Sequence, residues 1–446
     1  MNRQTTVNVR ERINERPFGS YQYLVAGLCA LAVFLDGFDT QAIGYVAPAI
    51  IKEFGVSRVS LSPVFSASLV GLMLGALIGG PLSDRIGRRP VLLGGMIFFG
   101  IMSLLTVMAD SIQSLMVMRL LTGLGLGCVM PNAIALTSEY APERARATAV
   151  MIMFCGFSLG AALGGLAAAL LIAGFGWRSV FVTGGVLPLL GALAVWLWLP
   201  ESVRFLVLKG LDKRRIAFIM QKIDPSLAGS QALFVADEVK KSKFPINELF
   251  SDKRALLTGL LWIVFFMSLM DLYFLSNWLP TVINDAGIPL SSAALITAML
   301  QIGGTFGTLV LGRVFDKVSP FLALSVIYLL AALFIGSVGY AGISRTALVI
   351  TIFGAGFCLI GGQIGANALA AKAYPTSIRA TGVGWSLGIG RIGSVLGPVI
   401  GGMLLAMHLD MHHLFLAAAV PVFIAAIAAV IINVSGAAHG SAESGQ

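Results

Sequence analysis

The sequence has little of the material from which soluble domains build surfaces and enzymes build sites. Asp, Glu, Lys and Arg together make up 11% of the 446 residues, against about 25% in a soluble globular domain. So little charge cannot coat a surface that meets water on all sides. Cysteine is scarce: Cys29, Cys128, Cys155 and Cys358 lie far apart inside apolar runs, with no C-x-x-C, and read as small buried hydrophobes. The four histidines, His412 and His413 among them, lack metal-ligand spacing, so no metal site is expected. No nucleophile–base pair, phosphate loop or strand–helix G-x-G-x-x-G is present. The expectation is no catalytic residue, no enzyme and no bound cofactor.

What is plentiful is apolar. Hydrophobic residues make up 57% of the chain, in runs long enough to cross a bilayer, which takes about 20 residues each. Twelve such runs are readable, at 22–50, 61–82, 91–109, 112–136, 147–174, 178–199, 255–283, 291–312, 320–342, 346–370, 379–406 and 412–433. They divide the chain into an N-terminal segment (1–20), six spans (21–199), an interdomain loop (200–254), six further spans (255–433) and a Gly-, Ala- and Ser-rich tail (434–446). The polar head is followed by a run long enough to span, so no cleaved signal is read here. The net charge of +9 raises the question of a nucleic-acid partner, but its distribution answers otherwise. With a cytoplasmic N-terminus, 24 of the 30 Lys and Arg fall in cytoplasmic segments, eleven of them in 200–254. This is the positive-inside pattern. It puts both termini in the cytoplasm and the chain in the inner membrane, surrounded by lipid.

Within the first span, VFLDGFDTQAIGYVAP puts Asp36 and Asp39 at i and i+3, on one helix face. If the chain enters the bilayer near Tyr21, Asp36 lies roughly 22 Å deep, inside a core about 30 Å thick. A charge there costs at least a few kcal/mol, so the pair reads as functional, with partners to be found. The two halves also repeat. Asp39, Pro48, Gly55, Gly80 and Asp84 match Asp271, Pro280, Gly287, Gly312 and Asp316, each 232 residues on. Pro142, Arg146, Ala147 and Thr148 match Pro375, Arg379, Ala380 and Thr381, at 233. A duplicated six-span unit is one known transporter design, with the substrate site near the midplane between the repeats.

Gly80-Pro-Leu-Ser-Asp84-Arg85-Ile-Gly87-Arg88-Arg89 resembles the signature loop of the major facilitator superfamily, and Gly312-Arg313-Val-Phe-Asp316-Lys317 resembles its second-half copy. Leu115-x-x-x-Arg119-x-x-x-Gly123 is similar to the superfamily's fourth-span motif, and Pro200-Glu201-Ser202-Val-Arg204 to the one closing the first half. Asp36-Gly37-Phe38-Asp39 resembles the first-span D-G-x-D of its aromatic acid/proton symporters. The resemblance implies an all-α membrane protein of twelve transmembrane helices in two pseudo-symmetric six-helix bundles. It further implies proton-coupled uptake of a small aromatic carboxylate such as a hydroxybenzoate, by a monomer. The proton is then the coupling ion.

Within that frame Asp36, Asp39 and Asp271 are the candidate proton-coupling residues, and which of the first two carries the proton is open. Asp271 reads as a second proton site or one arm of a structural pair. Arg391, about twelve residues into span eleven, presents a fork suited to a carboxylate. It reads as the substrate anchor or as the ion-pair partner of an aspartate. Arg119, about seven residues into span four, reads as attracting the anion, as holding a first-half network with Asp36 or Asp39, or as a long side chain snorkelling to the interface. Asn132, Gln363 and Asn367 are intramembrane amides placed to orient a ring substituent or to join helices. Tyr273 and Trp385 are candidates for an aromatic wall. The resemblance also implies a gate of Asp84, Arg85, Arg88, Arg89 and Arg146, with Asp316 and Arg379 in the second half. Rival readings are a proton-coupled efflux antiporter, a sugar-type or other organic-anion porter, and a non-transporting sensor. The Gly-Pro pair that drug/proton antiporters carry in span five is missing from span five here, and span eleven has one at Gly397-Pro398.

Overall fold

The computed structural model describes residues 6–227, 233–236, 249–251, 254–317, 319–374 and 378–435. Twelve of its helices are long and apolar enough to cross a membrane. In the first half they are α2 (Ser20–Phe54), α3 (Ser62–Ile86), α4 (Arg88–Thr106), α5 (Ile112–Tyr140), α6 (Glu143–Phe175) and α7 (Arg178–Trp198). In the second they are α10 (Ala255–Asp285), α11 (Leu290–Lys317), α12 (Pro320–Val338), α13 (Arg345–Ala373), α14 (Arg379–Ala406) and α15 (Met411–Val434). The architecture is the expected one. Helix α2 runs on past Pro48, which the sequence reading set near its end, and stops at Gly55, whose φ of 62° closes the last turn in a left-handed cap.

The repeat is visible in how the helices touch. A Cβ on Gly71 or Gly75 of α3 would strike the carbonyl of Leu120 or Leu124 on α5. Their counterparts Gly303 and Gly307 on α11 stand against the carbonyls of Phe353 and Phe357 on α13. In the same way Gly160 on α6 meets Phe34 on α2, and Gly393 on α14 meets Phe266 on α10. Small residues let the backbones close, and in lipid such packing replaces the hydrophobic drive. These contacts obey an offset of 232 in the first three helices and 233 in the last three. The slip is one extra residue in the connection after the third helix, 107–111 in one half and 339–344 in the other.

The halves join at one end. That end lies away from the basic end, which is marked by Arg85, Arg88, Arg89 and Arg146. Ser66 Oγ donates to the Val395 carbonyl at 2.8 Å, Phe65 packs edge-on to Trp278, and Arg58 pairs with Asp285 at 2.8 Å. Gly44 lies against Ser276 and Asn277, and Gly165 against Ala294 and Ala298. At the basic end the described partners of Arg88, Arg89 and Arg146 all belong to the first half.

The N-terminal segment and the interdomain loop carry structure that their polar composition did not announce. Strand β1 (Thr6–Asn8) pairs in parallel with β2 (Leu233–Val235). Helix α1 (Val9–Glu15) buries Val9 and Ile13 in a cluster with Ile216, Ile219 and Met220 of α9 (Lys213–Ile223). Asp224, its side chain fully enclosed, receives Arg12 and Arg16. The tail from 436 onward lies outside the described residues.

The glycine crossings give a direct test. Gly123→Val places a side chain on the Ser68 carbonyl, as Gly356→Val does on that of Leu300. Overpacking costs about 1–3 kcal/mol, and backbone cannot step aside as a side chain can. Thermal unfolding in detergent is expected to fall for both. Gly94→Ala, which meets nothing within 4 Å, is expected to hold or rise.

Candidate functional site

Two constellations of charge sit in the middle of the helices. The first lies within the first half. Asp39 Oδ2 pairs with Arg119 Nη1 at 3.1 Å, and both side chains are 0% exposed. Asp39 Oδ1 accepts from Ser103 Oγ at 2.7 Å. Arg119 Nη2 donates to Thr106 Oγ1 at 2.7 Å and Thr122 Oγ1 at 3.0 Å. The guanidinium lies 4.6 Å from the centroid of the Phe181 ring. A buried ion pair holds when hydrogen bonds take up what the pair leaves over, and the hydroxyls of α4 and α5 do so here for all but the Arg119 Nε, which has no partner. Of the three readings of Arg119, this geometry is the first-half network with Asp39, and a side chain this enclosed does not snorkel to the interface.

The second constellation is drawn from both halves. Asp36, 0% exposed, accepts from Thr40 Oγ1 at 3.1 Å through Oδ1, while Oδ2 has no partner. It lies within electrostatic reach of Arg391 on α14. Arg391 is half-buried, and its Nη1 donates to the Tyr273 hydroxyl of α10 at 3.4 Å. On α13, Gln363 Oε1 accepts from Ser268 Oγ, leaving its Nε2 unpaired, and Asn367 Oδ1 is unpaired one turn on. Four helices, α2, α10, α13 and α14, supply these groups: one carboxylate, one fork-shaped cation, one phenol and two amides with spare capacity. Arg391 and Asp36 have no charged twins, for the repeat puts Ser158 and Ser268 in their places.

Other expected residues stand apart. Asn132, 1% exposed, donates to the Cys128 carbonyl one turn back on its own helix at 2.7 Å. Trp385 is 37% exposed and stacks on Trp262 at 6.0 Å. Asp271 is buried with neither oxygen hydrogen-bonded. In the gate, Asp84 and Arg146 are not brought together. Asp84 accepts from Arg88 at 3.3 Å, and Arg146 donates to the Ser138 carbonyl. Arg85 is exposed, and Arg89 donates to the Trp196 carbonyl. The side chains of Asp316 and Arg379 lie outside the described residues. Among the described residues no cluster of His, Cys, Asp or Glu could hold a metal.

The sequence reading missed the hydroxyls. Ser103 with Thr106, and Arg119 with Thr122, recur at i, i+3 inside apolar spans, and that spacing was the available signal. It also gave Glu201 no task. Its carboxylate, 6% exposed, accepts from the backbone of Arg88 and Ser202 at 3.0 and 2.7 Å. It thereby caps α4 at the N-terminal end, where negative charge is favoured.

The Major Facilitator Superfamily matches residues 29–376, and the chain belongs to it. It is a multi-pass membrane transporter and not an enzyme. The 4-hydroxybenzoate transporter PcaK of Pseudomonas putida is 43% identical over 96% of each chain. The gallate transporter of the same species is 41% identical over 95% of this chain and 94% of that one. Among solved structures, the D-xylose-proton symporter shares the fold with a TM-score of 0.68 at 17% identity, over 93% of this chain and 97% of that one.

The buried pair is expected to behave as a unit. Arg119→Met strands Asp39 and should cost about 3–5 kcal/mol. Adding Asp39→Asn should recover most of that, read as thermal stability in detergent. A double variant no more stable than Arg119→Met would mean that the charges do not depend on each other.

Proposed function

We propose that this protein imports a small aromatic monocarboxylate, such as a hydroxybenzoate, together with a proton across the inner membrane by alternating access. The observation that carries this reading is Arg391: a half-buried guanidinium at mid-depth, with Tyr273 beside it and Asp36 of the other half within electrostatic reach. A permanently charged planar fork inside the membrane is matched by a carboxylate in two-point contact. The spare amide groups of Gln363 and Asn367 suit a ring hydroxyl. The names of the relatives, a 4-hydroxybenzoate and a gallate carrier, support the same substrate class.

The coupling follows from competition for one cation. In the empty carrier Arg391 balances Asp36. A substrate carboxylate takes over the guanidinium, and Asp36, losing its counter-charge in a low-dielectric site, takes a proton instead. The loaded site is then neutral and the halves rock past each other. Asp39 and Arg119 stay paired throughout and hold α2 against α4 and α5. The positive-inside pattern makes the basic end cytoplasmic, so the end where the halves join is the outer one and the inner gate of Asp84 and its neighbours is disengaged. Because one chain supplies both sides of the site, a monomer suffices.

Proteoliposomes with an imposed pH gradient of either sign and labelled 4-hydroxybenzoate test this. Accumulation is expected when the outside is acidic, whereas export alone, or binding without flux, would overturn the reading. Asp36→Asn is expected to lose gradient-driven accumulation while keeping substrate exchange. Arg391→Lys keeps the charge and loses the fork, a loss of about 1.5–3 kcal/mol, so apparent KM should rise by roughly ten- to a hundredfold.

A further inference from the structure

The repeat lets each buried group be compared with its counterpart in the other half, and Asp271 is the place where the comparison fails. Asp271 and Asp39 occupy one position of the frame, each 1% exposed. Around Asp39 stand Ser103, Thr106, Arg119, Thr122 and Phe181. The same frame puts Ile335, Val338, Ile352, Ala355 and Leu414 at those positions in the second half, all of them buried. The second half has kept the carboxylate and none of the groups that satisfy it.

Among the described residues no charged side chain pairs with it. On α10 itself Tyr273 meets Arg391 and Asp285 meets Arg58. Helix α14 brings Arg391 at mid-depth, engaged with Tyr273 and in reach of Asp36, and has Arg379 as its first residue in sequence. Helix α15 carries only His412 and His413, at its far end beside Asp410, and α13 has Arg345 and Lys372 at its two ends in sequence. Helix α12 offers the neutral Tyr328, and α11 has its charges only at its end, from Arg313 to Lys317. Helix α2 adds Asp36 and Asp39, of which the second is spent on Arg119, with Lys52 and Glu53 only in its last turn. An ionised carboxylate without a partner in such surroundings is strongly disfavoured over the neutral acid.

We infer that Asp271 remains a neutral carboxylic acid through the whole cycle, so that only the Asp36 site exchanges its proton and one proton accompanies each substrate anion. This rests on the symport reading above. The charge count closes in both loaded and empty states. Asp39 cancels Arg119, and Arg391 is balanced by Asp36 when empty and by the substrate carboxylate when loaded. Neither state has a cation to spare for Asp271. One proton and one monoanion cross together, so the loaded carrier moves no net charge and the membrane potential has nothing to act on.

The test uses the full-length protein in proteoliposomes with labelled 4-hydroxybenzoate, applying a pH gradient alone or a potassium–valinomycin potential alone. The pH gradient is expected to drive accumulation and the potential alone to leave uptake unchanged. Asp271→Asn, which keeps the shape and removes the titration, is expected to retain gradient-driven accumulation within about twofold of the native protein. Its thermal stability should match or exceed the native value. Accumulation by the native protein under potential alone would overturn the inference. So would an Asp271→Asn variant that still exchanges substrate but no longer accumulates it. If that variant does not fold, the potential arm on the native protein decides. Native protein that moves no aromatic acid at all would instead overturn the symport reading, and this inference with it.

Discussion

Everything in this protein turns on the cancellation of charge where water cannot provide it. Five ionisable side chains lie at mid-depth: Asp36, Asp39, Arg119, Asp271 and Arg391. Each has its own solution. Asp39 and Arg119 solve it within the first half, with each other and with three hydroxyls. Asp36 and Arg391 belong to different halves and lie within electrostatic reach without a direct bond. A pair that is closed within one bundle holds helices together. On the function proposed above, charges divided between the two halves are the ones that a substrate carboxylate can compete for.

Much of this was legible in the sequence because membranes punish error. Charged residues are so costly in hydrocarbon that Asp36, Asp39, Asp271, Arg119 and Arg391 stood out at once. The length of an apolar run translates almost directly into a spanning helix. The repeat was readable because prolines, glycines and gate residues kept their spacing. What could not be read was who pairs with whom. Arg119 lies 80 residues from Asp39, and nothing in the one-dimensional pattern prefers it to Arg391 as that partner. The hydroxyls that complete the network are individually common in membrane helices, so they carried no signal until the fold gathered them. The folded part of 1–20 and 200–254 was hidden for the opposite reason. Polar composition reads as loop, and only the joint burial of Val9, Ile13, Ile216 and Met220 reveals a small core.

Duplication explains both the symmetry and its useful failures. The glycine–carbonyl crossings recur in both halves, since backbone contact tolerates no substitution on either side. Polar positions have diverged instead. Asp36 faces Ser268 in the frame, Arg391 faces Ser158, and Arg119 faces Ile352. Two copies of one scaffold thus came to carry an anion in one half and a cation in the other, at positions where the opposite half has serine.

The strand pair at the start of the chain also bears on how the two halves are connected. By fastening Leu233–Val235 to Thr6–Asn8, it attaches residues far into the interdomain segment to the N-terminus. The covalent path from the first half to the second is then counted from Val235 rather than from the end of α7. Chain geometry sets an upper bound of about 50 Å on the separation of Val235 and Leu249, whatever arrangement the halves adopt.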